Sequence, residues 1–255
     1  MAWCGACRLS ENESQPKTET EGTPGPPRAA LYIDGFNLYH PIDDSGDHHL
    51  KWANLWRLGE ILCEQDGAEL VKVAFCTAVP GHAPDKRDRH NIFNAAQTAC
   101  GCEVIKGHHV FEPDKDRYAE KQSDINVALA VVLDGIDDVY DIAFLLTADS
   151  DQVATARVFS ERLAPLGKRL VGVAPLGRHV PDGYKKYGVK GFALSRFQLE
   201  RSVMGATVAG RGKAIARPTK YDPPADWIHP DKRRTGRPSK APKKDAWSKG
   251  VRGAH

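Results

Sequence analysis

The sequence YDIAFLLTADSD, residues 140–151, decides what kind of fold this chain can form. Its centre, Ile142–Leu146, is a continuous apolar run without polar alternation, which predicts a strand buried on both faces within a parallel sheet. The polar residues Asp149, Ser150 and Asp151 follow this run. In open α/β sheets, ligands bind in the crevice beyond the carboxyl ends of the strands. The two carboxylates are therefore the first candidates for a functional site.

A second stretch of the same form lies near the start of the chain. Residues 29–33 are apolar, and Asp34, Gly35, Phe36 and Asn37 follow them. Glycine lets the backbone turn sharply after the carboxylate, and the asparagine adds an uncharged polar group nearby. An aspartate before a glycine is also common in ordinary turns, so Asp34 gains weight only from its likeness to the exit of the strand Ile142–Leu146.

Strand-like and helix-like segments alternate along the rest of the chain, which predicts an α/β fold with a mostly parallel sheet and right-handed crossovers. In the helix after Gln122 we expect Ser123 to be the N-cap and Asp124 to lie in the first turn, where the helix dipole favours a carboxylate. The predicted helices cover residues 55–62, 85–99, 123–136, 153–163 and 188–204, the predicted strands cover 68–76, 102–106 and 168–174, and Ile125, Leu129, Val132 and Ile136 form one apolar helical face.

Length and composition exclude several classes of protein. With 255 residues and 41% hydrophobic content, the chain can bury one substantial core. No apolar run approaches the roughly 18 residues of a membrane span, and the N-terminal sequence has no apolar core of a signal peptide. We therefore expect a cytoplasmic protein without a membrane partner. The cysteines, including Cys4 and Cys7, lack the spacing of a disulfide scaffold or a zinc ribbon.

The charge is segregated along the chain. Residues 210–255 contain 13 lysines and arginines against 4 acidic residues, whereas the whole chain has a net charge of only +3. We expect a flexible leader at 1–28, a folded domain at 29–204 and a basic, proline-rich, disordered tail at 205–255 that binds polyanions. Residues 232–240 resemble an AT-hook, which binds DNA, but Thr235 replaces an arginine of that motif. We therefore expect sequence-independent phosphate binding there; a purely solubilising tail is the alternative.

Three blocks of this chain together resemble a known family. Residues 32–39 (YIDGFNLY), 120–129 (EKQSDINVAL) and 140–151 look like the three signature blocks of the NYN family, nucleases with a PIN-like fold. The blocks occur in order within residues 29–204, and three together are far more specific than any one alone. The resemblance implies a doubly wound, mostly parallel α/β sheet with PIN-like (Rossmannoid) architecture, whose acidic residues hold a divalent metal and cleave RNA.

The resemblance also implies roles for particular residues. The metal and catalytic acids are Asp34, Asp124, Asp149 and Asp151, with Asn37 in the catalytic set and Ser150 as a polar neighbour on the substrate side. One departure from the family pattern is Gln122, which stands where many relatives have glycine before the Ser-Asp pair. It can alter the shape of that loop without removing the Asp124 carboxylate.

The chemistry of the four carboxylates indicates the cofactor. Carboxylates that converge in one crevice repel each other, and such groups share protons or bind a cation. Oxygen ligands without cysteine or histidine select hard ions, here Mg²⁺ or Mn²⁺. Such an ion activates a water for attack on phosphorus. We expect Asp34 and Asp149, at strand ends, to be direct ligands, and Asp124 and Asp151 to bind through water or to help deprotonate it.

An acidic site repels its polyanionic substrate, so binding must come from basic groups at the rim. The basic residues within 85–99 have two interpretations: contacts to a phosphate of the substrate, or a solvated helix face. The candidates for RNA binding are Lys121, Arg87, Arg89, Arg178, Lys185 and Lys186.

The sequence thus predicts a metal-dependent, endonucleolytic ribonuclease, and two alternatives remain. A non-catalytic RNA-binding or regulatory module would keep the same acids for metal-bridged binding. A phosphohydrolase that forms an aspartyl-phosphate on Asp34 would need a second aspartate two residues later, where this chain has Phe36.

Overall fold

A six-stranded parallel sheet forms the centre of the protein. The computed structural model describes residues 25–81 and 83–233. In chain order the strands are β1 (Arg28–Asp34), β2 (Glu69–Thr77), β3 (Glu103–Lys106), β4 (His108–Glu112), β5 (Arg117–Lys121), β6 (Ile142–Leu146), β7 (Arg169–Ala174), β8 (Lys190–Ala193), β9 (Thr207–Ala209) and β10 (Ala214–Ala216). The hairpins β4–β5 and β9–β10 stand outside the main sheet.

Helices connect the strands of the sheet and cover both of its faces. They are α1 (Gly35–Asp44), α2 (Leu55–Cys63), α3 (Pro84–Ala99), α4 (Ser123–Ile136), α5 (Val153–Arg162) and α6 (Arg196–Ser202).

The strand order is β3-β2-β1-β6-β7-β8, and every neighbouring pair is parallel. The chain moves outward from β1 to β3 and then returns to the other side of β1 with β6. The winding direction therefore reverses between β1 and β6, which defines a doubly wound sheet. This confirms the predicted fold class, a doubly wound α/β sheet of Rossmannoid, PIN-like type.

Two hydrophobic cores lie on the two faces of the sheet. Successive side chains of a strand point to opposite faces, and in β1 the residues Leu31 and Ile33 pack with α1, α2 and α6, whereas Tyr32 packs with α4 and α5. All three of these side chains are fully buried. The absence of polar alternation in β1 and β6 thus has a simple cause, since both strands are covered on both faces.

Helix α4 packs through a different face from the one that the sequence predicted. Its buried residues are Ser123, Val127, Val131 and Gly135. A Cβ atom added at Gly135 would lie 2.6 Å from a methyl carbon of Leu163, so only glycine permits this close approach. The predicted face is wrong because α4 is apolar on two sides, and the side with the smaller residues packs closer to the rest of the protein. Of the residues on the predicted face, Ile125, Leu129 and Ile136 are 58%, 52% and 61% exposed, and Val132 is half-buried.

The last predicted helix, residues 188–204, is a strand followed by a shorter helix. Residues Lys190–Ala193 form β8, which extends the sheet at the free side of β7. Helix α6 then begins after Ser195, whose hydroxyl accepts a hydrogen bond from the Gln198 N–H in a capping box. Pairing with β7 outweighs the helical pattern of residues 188–193, because strand pairing is a long-range contact that local periodicity does not encode.

The folded body extends beyond Met204, which corrects the predicted start of the tail at 205. Residues 205–233 include the hairpin β9–β10, and Tyr221 is buried against Trp52 and Met204. Arg233 donates to a carboxylate oxygen of Glu200 at 2.7 Å. The leader up to residue 24 and residues 234–255, which include most of the AT-hook-like segment, lie outside the described residues.

The four described cysteines, Cys63, Cys76, Cys100 and Cys102, are free thiols. Burial raises the pKa of Cys76 and of Cys102 to about 12, so neither is a thiolate at neutral pH. Within the described ranges, no helix has both the length and the apolar character needed to cross a membrane.

The two faces of α4 provide a matched test of the packing. Val131→Ala leaves a cavity against the sheet and should lower the free energy of unfolding by about 1–3 kcal/mol, whereas Leu129→Ala, on the exposed face, should cost less than about 1 kcal/mol. Urea denaturation of both variants measures the difference. Equal losses, or a larger loss for Leu129→Ala, would contradict this orientation of the helix.

Candidate active site

The candidate site lies at the point where the winding of the sheet reverses. Strands β1 and β6 are parallel neighbours, and Ile33 pairs with Leu146 at their carboxyl ends. The next residues, Asp34 and Thr147, are therefore side by side, and Asp149 follows two residues later. In doubly wound sheets the crevice between two strands whose connections diverge is the usual ligand site.

Asp34 ends β1 and caps α1. Its carboxylate is buried, and the oxygen Oδ1 accepts hydrogen bonds from the N–H groups of Phe36 at 3.1 Å and Asn37 at 3.2 Å. Gly35 packs so closely against β2 that an added Cβ would lie 2.8 Å from the carbonyl oxygen of Cys76. Glycine is needed here for this close approach, and the approach draws the Asp34 turn onto the sheet.

Two polar side chains connect Asp34 to the strand beside it. The Asn37 amide donates to Oδ2 of Asp34 at 2.6 Å, and its own oxygen accepts from the Ala148 N–H at 3.1 Å. The Thr147 hydroxyl donates to Asp34 Oδ2 at 3.4 Å and accepts from the Asp149 N–H at 3.1 Å. The ends of β1 and β6 are thus joined by one hydrogen-bond network that holds Asp34 and Asp149 near each other.

Asp149 begins the turn that leads into α5. It is half-buried, and its oxygen Oδ1 accepts from the Asp151 N–H at 2.9 Å, which caps the short 3₁₀ helix Ser150–Gln152. Ser150 and Asp151 are exposed at the mouth of the crevice. The Asp151 carboxylate is therefore open to solvent, unlike that of Asp34.

Asp124 reaches the same region from the other side. It lies in the first turn of α4, and its carbonyl oxygen accepts from the buried Gln152 amide at 2.7 Å. The Gln152 oxygen in turn accepts from the Thr155 hydroxyl at 2.7 Å. Gln152 therefore ties the N-terminus of α4 to the turn that carries Asp149 and Asp151.

The start of α4 also explains the departure at Gln122. This residue has φ of 80°, in the left-handed region, where glycine is favoured over other residues. Ser123 is the first helical residue rather than the predicted N-cap, a position that Gln122 occupies. The Ser123 N–H donates to a carboxylate oxygen of Glu120 at 2.9 Å. With Gln122 in this left-handed conformation, Asp124 still lies in the first turn of α4.

The electrostatics of the crevice single out Asp34. Burial raises the pKa of Asp34, hydrogen bonds from Asn37 and Phe36 oppose this shift, and the negative charge of Asp149 raises the pKa further. The two carboxylates are thus close enough for the charge of one to disfavour ionisation of the other. A cation between them would relieve both the desolvation and the repulsion.

The donors of the crevice suit a hard divalent ion. Among the described residues, no three side chains of Asp, Glu, His or Cys are grouped so that they could hold one metal ion. Mg²⁺, however, is often held by one or two carboxylates and completed by waters and substrate phosphates. Asp34 and Asp149, with oxygen donors only, fit that type of site, and Asp124 and Asp151 stand around it.

One predicted basic residue lies beside the acids. Arg178 lines an open pocket of about 330 Å³ together with Phe36, Asn37, His40 and Ala148. Its guanidinium donates to Asp44 at 2.9 Å and is half exposed. Arg178 is thus positioned to contact a phosphate of a molecule that occupies this pocket.

The other predicted basic residues are dispersed. Lys121 ends β5 near the start of α4, and its ammonium binds Glu112 at 3.1 Å. The remaining four make their contacts elsewhere: Arg87 binds Asp88, Arg89 binds Tyr221, Lys185 binds Asp182, and the Lys186 ammonium lies over the ring of Tyr187.

Sequence reasoning missed four residues of the site. Thr147 is preceded by apolar residues and looked like the last residue of the strand, and Gln152 is an ordinary polar residue at a helix start. Phe36 was considered only as the residue that replaces a second aspartate. The fourth is His40, which lines the pocket with Arg178. All four lie close in sequence to the acids, and this proximity is the signal that could have found them.

Comparisons with known proteins assign no activity to this chain. No family model matches this chain, and no curated protein matches it. Among solved structures, one that resembles it is the crystal structure of a protein of unknown function from Vibrio parahaemolyticus RIMD 2210633, with 17% identity, 69% of this chain and 97% of that chain covered, and a TM-score of 0.48. The function must therefore be inferred from the residues and their geometry.

The left-handed backbone at residue 122 is testable. Gln122→Gly and Gln122→Ala both remove the bond between the glutamine side chain and His108, but only glycine relieves the left-handed strain. We expect the glycine variant to be more stable than the alanine variant by about 1 kcal/mol in urea denaturation. Equal stabilities would show that no strain is stored there.

The raised pKa of Asp34 predicts a pH dependence of stability. Between the ordinary aspartate pKa of 3.8 and the raised value, the folded protein binds more protons than the unfolded chain. The stability of metal-free wild type should therefore decline relative to Asp34→Asn as the pH rises through this interval, and the difference should then become constant. Denaturation of both proteins in EDTA across this range measures it; a pH-independent difference would contradict a raised pKa.

Proposed function

We propose that this protein is a metal-dependent ribonuclease that hydrolyses phosphodiester bonds of RNA endonucleolytically, as the resemblance to the NYN family implies. The observation that carries the proposal is the buried Asp34 carboxylate, held beside Asp149 by Asn37 and Thr147 where the winding of the sheet reverses. A buried carboxylate next to a second one destabilises a fold unless a proton or a cation neutralises it. Its presence at the usual ligand crevice supports a catalytic use.

Mg²⁺ or Mn²⁺ is the cofactor in this proposal, with Asp34 and Asp149 as its protein ligands. When bound, such an ion lowers the pKa of a coordinated water and neutralises charge on the phosphate oxygens. The chain contributes the orientation of the ligands. Asn37 fixes the Asp34 carboxylate by donating to Oδ2, while the N–H groups of Phe36 and Asn37 hold Oδ1.

The remaining acids have a second role in this proposal. Asp151 is exposed at the mouth of the crevice, and Asp124 is half-buried in the first turn of α4. Both carboxylates are thus accessible to water, and either can accept the proton of the attacking water. Gln152 keeps the two acids in a constant relation, because it follows Asp151 in the 3₁₀ helix and donates to the backbone carbonyl oxygen of Asp124.

Substrate binding would come from positive groups at the edge of the crevice. Arg178 lines the pocket beside Asn37 and Ala148, so its guanidinium would contact a phosphate of RNA bound in that pocket. The excess of lysine and arginine in residues 210–255 adds sequence-independent attraction to RNA and is a candidate for DNA binding as well.

A non-catalytic RNA-binding module is the second candidate. It is favoured by one observation, that the described acids do not form a ready three-ligand metal group. In this alternative Arg178 and the basic segment would bind RNA together with a metal bridge held by the acids, and loss of the acids would lower RNA affinity only in the presence of the metal.

The test is cleavage of a mixed single-stranded and hairpin RNA by the full chain with Mn²⁺, Mg²⁺ or EDTA. Asp34→Asn and Asp149→Asn should each lower the rate by about 100-fold or more, because each removes an oxygen ligand of the metal. Glu161→Gln is the matched control, since Glu161 is an exposed acid in the last turn of α5, away from the start of that helix, and is paired with Arg157. It should cleave at the wild-type rate.

Each result has a distinct meaning. Cleavage that requires metal and is lost in the crevice variants, while RNA affinity in EDTA persists, supports the nuclease. RNA binding without cleavage by wild type under either ion supports the binding module. Covalent labelling of Asp34 by a phosphate ester would instead favour an aspartyl-phosphate enzyme.

A further inference from the structure

The hairpin β4–β5 rises from the edge of the candidate active site. It begins just after Gly107, whose N–H donates to the carbonyl oxygen of Thr77 at the end of β2, at 2.9 Å. It ends at Lys121, three residues before Asp124. Both ends of the hairpin are therefore anchored at the carboxyl ends of the strands, where the acids lie.

One face of this hairpin turns toward the acids. The antiparallel register pairs His109 with Glu120 and Phe111 with Tyr118, so these four side chains share one face. At the base of that face the His109 ring contacts the Phe36 ring, with centroids 6.0 Å apart, and Glu120 accepts a hydrogen bond from the Ser123 N–H at the start of α4. Phe36 itself lies two residues after Asp34 and lines the pocket with Arg178.

The outer part of the same face carries two exposed aromatic rings. Phe111 is 44% exposed and Tyr118 is 47% exposed, and their centroids are 5.1 Å apart. Same-face residues of a strand are about 6.8 Å apart along it, so Phe111 continues the line from Phe36 through His109 away from the acids. The hairpin thus presents a row of rings that starts at the acidic crevice.

A cross-strand aromatic pair also stabilises a hairpin by roughly 0.2–1 kcal/mol. That contribution explains why the rings meet each other, but it does not explain why the pair continues an aromatic row into the crevice. Exposed aromatic rings beside a phosphate-binding group are the elements from which single-stranded nucleic-acid sites are built.

We propose that Phe111 and Tyr118 form a stacking platform for unpaired bases of single-stranded RNA whose backbone passes the acidic crevice. This inference rests on the proposed function and adds the substrate class, single-stranded RNA with little base preference. Stacking tolerates any base because every base has a π-face. Bases inside a duplex are already stacked on each other and cannot use the platform.

The experiment measures the affinity of the full chain for two fluorescently labelled RNAs, an unstructured strand and a stable duplex, by anisotropy in EDTA. The double variant Phe111→Leu/Tyr118→Leu removes the π-faces and retains an apolar cross-strand pair. The control is Phe197→Leu, because Phe197 is a 55% exposed aromatic residue on α6. Salt at about 0.3 M weakens the phosphate contacts of the basic segment, so stacking dominates the signal.

We expect the double variant to lose about 10-fold or more in affinity for the unstructured strand, with little change for the duplex. The Phe197→Leu control should bind both RNAs as wild type does. Circular dichroism and thermal melting establish that each variant is folded. Should the double variant destabilise the hairpin, the single variants Phe111→Leu and Tyr118→Leu replace it, each with a smaller loss expected.

The experiment tests the stacking platform independently of the proposed ribonuclease activity. An unchanged affinity of a folded double variant for single-stranded RNA overturns the platform, even when wild type cleaves RNA and Asp149→Asn does not. A selective loss of single-strand affinity supports the platform even when no ion supports cleavage. Equal losses for the unstructured strand and the duplex also overturn it, because stacking on unpaired bases predicts a difference.

Discussion

The burial of the Asp34 carboxylate at the end of the central strand is the constraint on which the site depends. Strand β1 pairs on both sides and is covered on both faces, so the carboxylate at its end has lost most of its water. Its oxygens are instead satisfied by the first turn of α1 and by Asn37 and Thr147. The turn after β1 and the end of β6 are consequently fixed relative to each other.

The two neighbouring carboxylates lower the stability of the fold, and the same two groups are the ones that could hold a metal ion. The extended parallel pairing of β1 with β2 and β6, and the two apolar cores around it, stabilise the fold enough to hold two neighbouring carboxylates. Proteins commonly accept such local cost where a charged ligand is bound. The same edge of the sheet carries the hairpin β4–β5 and the pocket of Arg178, so the groups that could bind a nucleic acid surround the groups that could bind its metal.

Much of the fold follows from local pattern, and the errors have a common origin. The buried strands β1 and β6 and the helices α2, α3 and α5 lie where periodicity predicts them. Helix α4 has apolar residues on two sides, and periodicity alone does not distinguish the side with Val127 and Val131 from the side with Leu129. Residues 190–193 form a strand because they pair with the otherwise unpaired edge of β7. The segment after Met204 belongs to the folded body because Tyr221 packs on Trp52, which is a contact between distant parts of the chain.

The sequence by itself determined that buried strands lead into Asp34 and Asp149, that Asp124 lies in the first turn of a helix, and that the basic charge lies at the C-terminal end. These are local properties of residue type and spacing. Only the tertiary structure decided that Asn37 and Thr147 join the two strand ends, that Arg178 borders the crevice while Lys185 does not, and that the rings of Phe36 and His109 meet. The reason is physical: strand order and register bring together residues more than 70 positions apart, and no pattern within one segment encodes either.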